Sequence, residues 1–286
     1  IGVTGGITPW NFPNLMVGMK IAPMLAAGCT GVIKPSEMTS LCALRFAELV
    51  HEAGVPKGVF NVIPGIGEVA GEHLVTHEDI NKVSFTGSTR VGLGIQKKAG
   101  NKRHVLEMGG NTPVIVTETA DIDKAAQQCA AFGFYNSGQV CIQLRRVFVH
   151  EEIYDEFLEK YTAATEAWSA DDQFTKTSMR GPQVSKQEYE KVLRYIELGK
   201  KEGATLHKGG HKIDRQGYFI EQTIFTDVED NMTIAKDEVF GPVTCVIKVS
   251  DNDEAIRRAN ATSYGLSSCV FAKDISECMT IANRLE

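Results

Sequence analysis

KVSFTGSTRVGLGIQKKA, running from Lys82 to Ala99, passes from a strand into a helix across a single glycine. Lys82–Thr86 is rich in β-formers, Gly87 breaks the run, and Ser88 stands where a helix wants a capping oxygen. The same alternation repeats on both sides. Gly31–Lys34 is a short apolar run stopped by Pro35, and a helix is expected over about 39–53, with Cys42, Phe46, Leu49 and Ala53 as its stripe. Val59–Ile63 reads as a strand closed by Pro64–Gly65, with a short helix around Val69–Val75, and Val105–Met108 as a strand ending at Gly109–Gly110. Strands alternating with helices imply βαβ units and a parallel sheet.

After Gly110 the pattern restarts. Strands are expected at Pro113–Val116, Arg146–His150, Val243–Val249 and Ser267–Phe271, and helices at Asp121–Tyr135, Ser185–Glu202 and Asp253–Ala261, with a last one cut by the end of the chain. The reading is an α/β protein of two domains, 1–109 and 110–286.

Composition narrows the function classes. The chain has 286 residues, 43% hydrophobic and 23% charged, which is the balance of a globular protein. With a formal charge of −6 and no basic run, nucleic acid is not an expected partner. The most apolar stretch, Ile21–Ile33, contains Pro23 and two glycines between Lys20 and Lys34, so no membrane span is expected. Seven scattered cysteines include no Cys-x-x-Cys pair. Cys42, Cys129, Cys269 and Cys278 lie in apolar surroundings and read as reduced core thiols of a reducing compartment. His207 and His211 flank Gly209–Gly210 and read as a turn, and no metal site is expected. The chain opens on Ile1 and stops inside a helical pattern, so it is expected to be an internal part of a longer protein.

Three polar residues stand where chemistry could use them. Cys141 ends Asn136-Ser137-Gly138-Gln139-Val140-Cys141, Glu107 closes a strand before two glycines, and Asn11 sits in the proline-bracketed turn Pro9-Trp10-Asn11-Phe12-Pro13. Each has a plainer reading alone: a structural cysteine, an exposed strand end, a turn former. Together, a thiol, a carboxylate and a carboxamide are what aldehyde oxidation through a thioester requires.

Six segments in order make the set specific: Trp10-Asn11-Phe12-Pro13, Lys34-Pro35-Ser36-Glu37, Phe85-Thr86-Gly87-Ser88-Thr89, Leu106-Glu107-Met108-Gly109-Gly110, Gly138-Gln139-Val140-Cys141 and Glu238-Val239-Phe240-Gly241-Pro242. They resemble the signature motifs of the aldehyde dehydrogenase superfamily, over nearly the whole chain. Two departures stand out. Met108 replaces the usual leucine, and Gly87-Ser88-Thr89-Arg90-Val91-Gly92 stands in place of Gly-x-Gly-x-x-Gly, as in this family's variant Rossmann fold.

The resemblance implies an incomplete variant Rossmann cofactor domain followed by an α/β catalytic domain truncated at its C-terminus. It implies NAD as cofactor, an aldehyde as substrate, a homo-oligomeric parent (dimer or tetramer) and a cytoplasmic location. Cys141 would be the nucleophile and Glu107 the general base, with the Asn11 amide and the Cys141 N–H holding the oxyanion. Lys34 and Glu37 would bond the adenosine ribose, Gly87 and Ser88 would open a helix at the pyrophosphate, Glu238 would hold the nicotinamide ribose, and Phe240 would pack near the nicotinamide. Pro9, Trp10, Gly67, Gly71, Met108 and Gly109 would complete the cofactor walls. Phe12, Met16, Met19, Tyr135, Val140 and Ile142 would line an apolar substrate tunnel. The family's leading cofactor-domain segment, oligomerisation hairpin and closing strand are not in the chain, so poor solubility is expected of it alone. The alternatives are a silent crystallin-like protein on the same scaffold, a cofactor-independent esterase through the same cysteine, and a relative that passes the acyl group to coenzyme A, against which Glu107 argues.

Overall fold

The computed structural model describes residues 1–175 and 178–286. They form two compact units, Ile1–Gly109 and Gly110–Glu286. The first is a parallel sheet with helices between its strands: β1 (Val3–Ile7), α1 (Pro13–Ala26), β2 (Thr30–Lys34), α2 (Ser40–Glu52), β3 (Phe60–Val62), α3 (Glu72–Thr76), β4 (Lys82–Thr86), α4 (Thr89–Lys98) and β5 (Arg103–Glu107). The strand order is β3-β2-β1-β4-β5, every pair parallel. The chain therefore works outward from β1 to one edge, then returns to β1's other side at β4. That reversal is where doubly wound sheets open a crevice beyond their carboxyl ends.

Pro13 starts α1 with its ring where no amide is needed, and Ser88 caps α4 by accepting from the Val91 amide. Val17, Ile21 and Met24 pack with Ile33 and Ala43 to form one apolar cluster, while Leu74, Val83, Phe85 and Ile95 form another.

The expected stripe of α2 is corrected. Its inward face is Ala43 with Phe46 and Val50, whereas Leu49 is 47% exposed and Cys42 only half-buried. Phe46 sets its ring edge-on to Phe60 of β3, which fixes the rotation of the helix. At about 100° per residue, a one-position change redirects the whole stripe. The thiol expectation is corrected with it: Cys29, Cys129 and Cys245 are the buried ones, and Cys42, Cys269 and Cys278 are half-buried.

The second unit contains β6 (Pro113–Val116), α5 (Ile122–Phe134), β7 (Arg146–His150), α6 (Tyr154–Thr165), α7 (Lys186–Glu202), β8 (Thr205–Lys208), β9 (Thr223–Thr226), α8 (Thr233–Lys236), β10 (Val243–Val249), α9 (Asn252–Asn260), β11 (Cys269–Phe271) and α10 (Ile275–Ala282). Its order is β11-β6-β7-β10-β9-β8, parallel except for β8 against β9. Every residue of β6 and β9 is buried, which is the pattern of strands covered on both faces. Two clusters provide the cover: Phe148, Ile196 and Phe225 with Ile234 and Ile247, and Val147, Phe134, Phe157 and Tyr161 with Val246. Asp121, Ser185, Asp251 and Asp274 cap their helices with side-chain oxygens. No helix among the described residues is long and apolar enough to cross a membrane.

Candidate active site

In the first unit the residues of interest collect at the carboxyl ends of the strands. Thr8–Phe12 follow β1, and the Thr8 amide donates to the Lys34 carbonyl at 3.1 Å, joining that turn to the end of β2. Pro9, Trp10, Asn11, Phe12 and Met16 are half-buried, and Met19 is 57% exposed. Lys34 is buried to 3% and holds Glu37 at 3.4 Å, while the Glu37 side chain is 58% exposed. Gly67 and Gly71 lie beside the lysine: a Cβ on Gly67 would stand 3.9 Å from Lys34 Nζ, and one on Gly71 3.6 Å from its Cδ, both ordinary contacts. Both glycines also line a cavity of about 340 Å³ with Ile7, Phe85 and Val91. Glu68, Glu72, Arg90 and Lys98 complete a lining of mixed polarity.

Gly87 and Ser88 end β4 and open α4, whose N-terminus concentrates amide dipoles. Gly109 donates to Thr89 Oγ1 at 3.3 Å, and Met108 packs its sulfur over Gly92. Glu107 is exposed at the end of the edge strand β5, opposite Thr86. Lys20 of α1 donates to Thr86 Oγ1 at 2.8 Å and Ser84 Oγ at 3.2 Å. Burial pushes the Lys20 ammonium down to about 8, with the attraction of Glu107 opposing the shift.

In the second unit the cysteine loop is a backbone contortion held by amides. Asn136, Ser137 and Gly138 take successive φ values of 49, 57 and 72°. Non-glycine residues there carry a strain of about 1–2 kcal/mol each, so surrounding bonds must hold them. Gln139 donates to the Asn136 carbonyl at 3.0 Å and accepts from the Val184 amide at 2.8 Å, and Gln183 donates to the Ser137 carbonyl at 3.1 Å. Gln143 donates to the carbonyls of Gly133 (2.7 Å) and Gly241 (2.9 Å). A Cβ on Gly138 would stand 2.0 Å from the Gly241 oxygen, so the 136–143 loop and the 238–242 loop interlock through a position only glycine can fill.

Cys141 emerges from this frame half-buried, with Val140 half-buried beside it and Tyr135 and Ile142 exposed at 49% and 47%. Gly110 links it to Glu238. A Cβ there would be 2.2 Å from the Cys141 carbonyl oxygen, while the Gly110 amide donates to Glu238 Oε1 at 3.1 Å. Burial raises the Glu238 carboxyl above its ordinary range, and the Gly110 N–H and the Arg145 guanidinium offset part of that. Phe240 has a φ of 57° and carries Lys191 Nζ over its ring at 5.8 Å.

Cys141, Glu238, Phe240, Tyr135, Val140 and Ile142 thus belong to one unit, and Asn11, Glu107, Lys34, Glu37 and the remaining cofactor residues to the other. Sequence reasoning missed Lys20, Asn111, Gln139, Gln143 and Arg145. The signal for Lys20 was a lone charge in the apolar run Leu15–Leu25, and for Arg145 an arginine pair opening a core strand. Elsewhere, Glu118, His150 and Glu152 bring ligand atoms within 4.8 Å of one another. His150 Nδ1 accepts the Glu152 amide and its Nε2 faces Glu118 at 3.7 Å, which accounts for the cluster as a helix-capping contact beside a carboxylate.

The chain belongs to the aldehyde dehydrogenase family, whose sequence model matches residues 1–286. It is 51% identical to aldehyde dehydrogenase 1 of Tanacetum cinerariifolium and 47% identical to aldehyde dehydrogenase 1A1 of Homo sapiens, covering 100% of this chain and 58% of each relative. The chain therefore spans somewhat over half the length of these relatives. Among solved structures it superposes on the aldehyde dehydrogenase KauB of Pseudomonas aeruginosa with a TM-score of 0.98 at 40% identity, covering 100% of this chain and 59% of that one. It matches betaine aldehyde dehydrogenase of Staphylococcus aureus, solved in complex with NAD+, with a TM-score of 0.95 at 39% identity, covering 99% of this chain and 57% of that one.

Proposed function

We propose that this chain carries the reaction centre of an NAD-dependent enzyme that oxidises an aldehyde to a carboxylic acid. The observation that carries the reading is Gly110, which packs against the backbone carbonyl of the half-buried Cys141 and donates its amide to the carboxylate of Glu238. Lys34 and Glu37 bond the adenosine ribose, Gly87 and Ser88 present the α4 N-terminus to the pyrophosphate, and Pro9, Trp10, Gly67, Gly71, Met108 and Gly109 form the walls. The cavity beside Gly67 and Gly71 supports that placement. Glu238 holds the nicotinamide ribose, with Phe240 beside the ring. When bound, the nicotinamide supplies the hydride acceptor.

The Cys141 thiolate attacks the carbonyl carbon and forms a thiohemiacetal. The Asn11 amide and the Cys141 backbone N–H take the developing oxyanion. As the C–H bond yields its hydride, the carbonyl reforms as a thioester on Cys141. Glu107 then takes a proton from water, the hydroxide oxygen adds to the thioester, and the acid leaves as the thiolate is restored. Phe12, Met16, Met19, Tyr135, Val140 and Ile142 offer apolar surface, which suits an aliphatic or aromatic aldehyde.

Two variants of the natural-length protein test the scheme. Cys141→Ala abolishes oxidation and leaves NAD+ binding intact. Glu107→Gln keeps the first burst of NADH and stalls at the thioester. Residual steady turnover in C141A, or wild-type turnover in E107Q, would remove these residues from their roles.

A further inference from the structure

Arg145 is the bulkiest of the fully buried side chains, 1% exposed, and has no salt bridge among the described residues. Its guanidinium is occupied by backbone instead. Nη1 donates to the Asp237 carbonyl and, at 3.0 Å, to Asn111 Oδ1, and Nη2 donates to the Ile234 carbonyl. Asn111, its oxygen engaged in that way, turns its Nδ2 to the carbonyls of Ala235 (2.7 Å) and Lys236 (3.1 Å). Four consecutive carbonyls, 234 to 237, are thus captured by one arginine and one asparagine. They belong to α8 and the residue after it, a four-residue helix that cannot satisfy its own last carbonyls. The next residue is Glu238, and its carboxylate accepts from Gly110, the neighbour of Asn111. Arg145 Nε has no acceptor, so the guanidinium is committed to this strap even at the expense of one buried donor.

We propose that Arg145, acting with Asn111, is a positioning residue for cofactor binding: it fixes the 234–237 strap by its carbonyls and so sets where Glu238 stands. The inference rests on the reading of Glu238 as the holder of the nicotinamide ribose. A ribose diol needs a carboxylate that is both aimed and ionised, because the ionised form is the stronger acceptor. The groups facing Glu238 are the Gly110 amide, Arg145, Lys191, Glu188 and the Tyr264 phenol. Asp237 on the same strap is engaged by the Tyr195 hydroxyl at 3.1 Å. Of the two cations, Arg145 lowers the Glu238 carboxyl more than Lys191 does. Without it, Glu238 protonates at a higher pH.

The test is NADH binding followed by fluorescence between pH 5.5 and 8.5, on the natural-length protein. Arg145→Gln weakens binding at least tenfold, with a larger loss at the acid end of the range than at the alkaline end, because Glu238 takes up its proton more readily without the guanidinium. Arg145→Lys keeps the wild-type pH profile but binds at least threefold more weakly throughout, since an ammonium lacks the fork that takes two carbonyls. A purely structural arginine would give R145Q an equal loss at every pH, and that result overturns the proposal, as does wild-type affinity in R145Q. If R145Q does not fold, R145K decides alone, and unchanged affinity there is the overturning outcome. Glu238→Gln separates the two layers. If E238Q binds NADH like the wild type, the ribose reading fails. If E238Q weakens binding while the Arg145 variants do not, the positioning inference alone fails.

Discussion

Two cations, Lys20 half-buried and Arg145 buried, set the two units apart. Lys20 in the first is surrounded by hydroxyls of Ser84 and Thr86, and burial brings its proton within reach at about pH 8, with Glu107 as the nearby anion. Arg145 in the second is wrapped in carbonyls near Glu238, and although burial lowers it as well, a guanidinium keeps its charge across the working range. The carboxylate proposed as base therefore has a neighbour whose charge can change, and the carboxylate proposed as ribose holder has one whose charge cannot. A group that must take up and release a proton benefits from adjustable surroundings. A group that only holds hydroxyls benefits from fixed ones.

The largest expected effect concerns the frame that fixes the second unit's loops. Gly138→Ala brings a Cβ to 2.0 Å from the Gly241 oxygen at a φ of +72°, and should cost about 4 kcal/mol or more, or prevent folding. Gly54→Ala, at a φ of +90° with nothing within 4 Å, should cost only about 1 kcal/mol. Urea melts of both variants make the comparison. A G138A protein as stable as G54A would mean that the loops are not interlocked.

Next in size is Lys20→Met. Below pH 8 both folded and unfolded wild type hold the proton, so the cost of burying the charge, about 3 kcal/mol for a fall from 10.5 to about 8, is fully present. Between pH 8 and 10.5 the folded state has lost the proton and the unfolded state has not, so wild-type stability rises relative to the variant. K20M should therefore be the more stable protein at pH 7, and the gap should close by pH 10.5. A gap independent of pH would show that Lys20 does not titrate in this way.

The smallest effect is at the Lys34–Glu37 pair. In the proposed NAD+ site, a carboxylate there would accept from the 2′- and 3′-hydroxyls of NAD+ and repel the 2′-phosphate of NADP+. Lys34 and the exposure of Glu37 blunt the repulsion, which leaves a preference of about tenfold in kcat/KM, or ~1.4 kcal/mol. Glu37→Ser should narrow that ratio mainly by improving NADP+, and an unchanged ratio would place the preference elsewhere.

The α/β class was legible because strand and helix periods alternate and glycines or prolines mark the changes, as at Gly87 and Pro35. Other elements escaped. The helix α6 carries Tyr154, Phe157, Tyr161 and Thr165 on one buried face, a readable stripe that polar residues around it obscured. The antiparallel β8 and β9 are four residues each, too short for a period to declare itself. The rotation of α2 depended on Phe60, distant in sequence. At the site, Cys141, Glu107 and Asn11 stood out because their residue types imply chemistry. Gln139, Gln143 and Arg145 did not, because their partners are main-chain carbonyls, which no side-chain pattern announces.

The register of β11 on β6, Cys269 opposite Val114, joins positions on the order of 150 residues apart. During synthesis the chain emerges at about 5–20 residues per second. Val114–Val116 would then wait roughly ten to thirty seconds with one apolar edge uncovered, after β7 has closed the other. An uncovered strand edge in a nascent chain is a template for pairing with neighbours on the same message, so until β11 is made that side of β6 is the part of the sheet most open to mispairing.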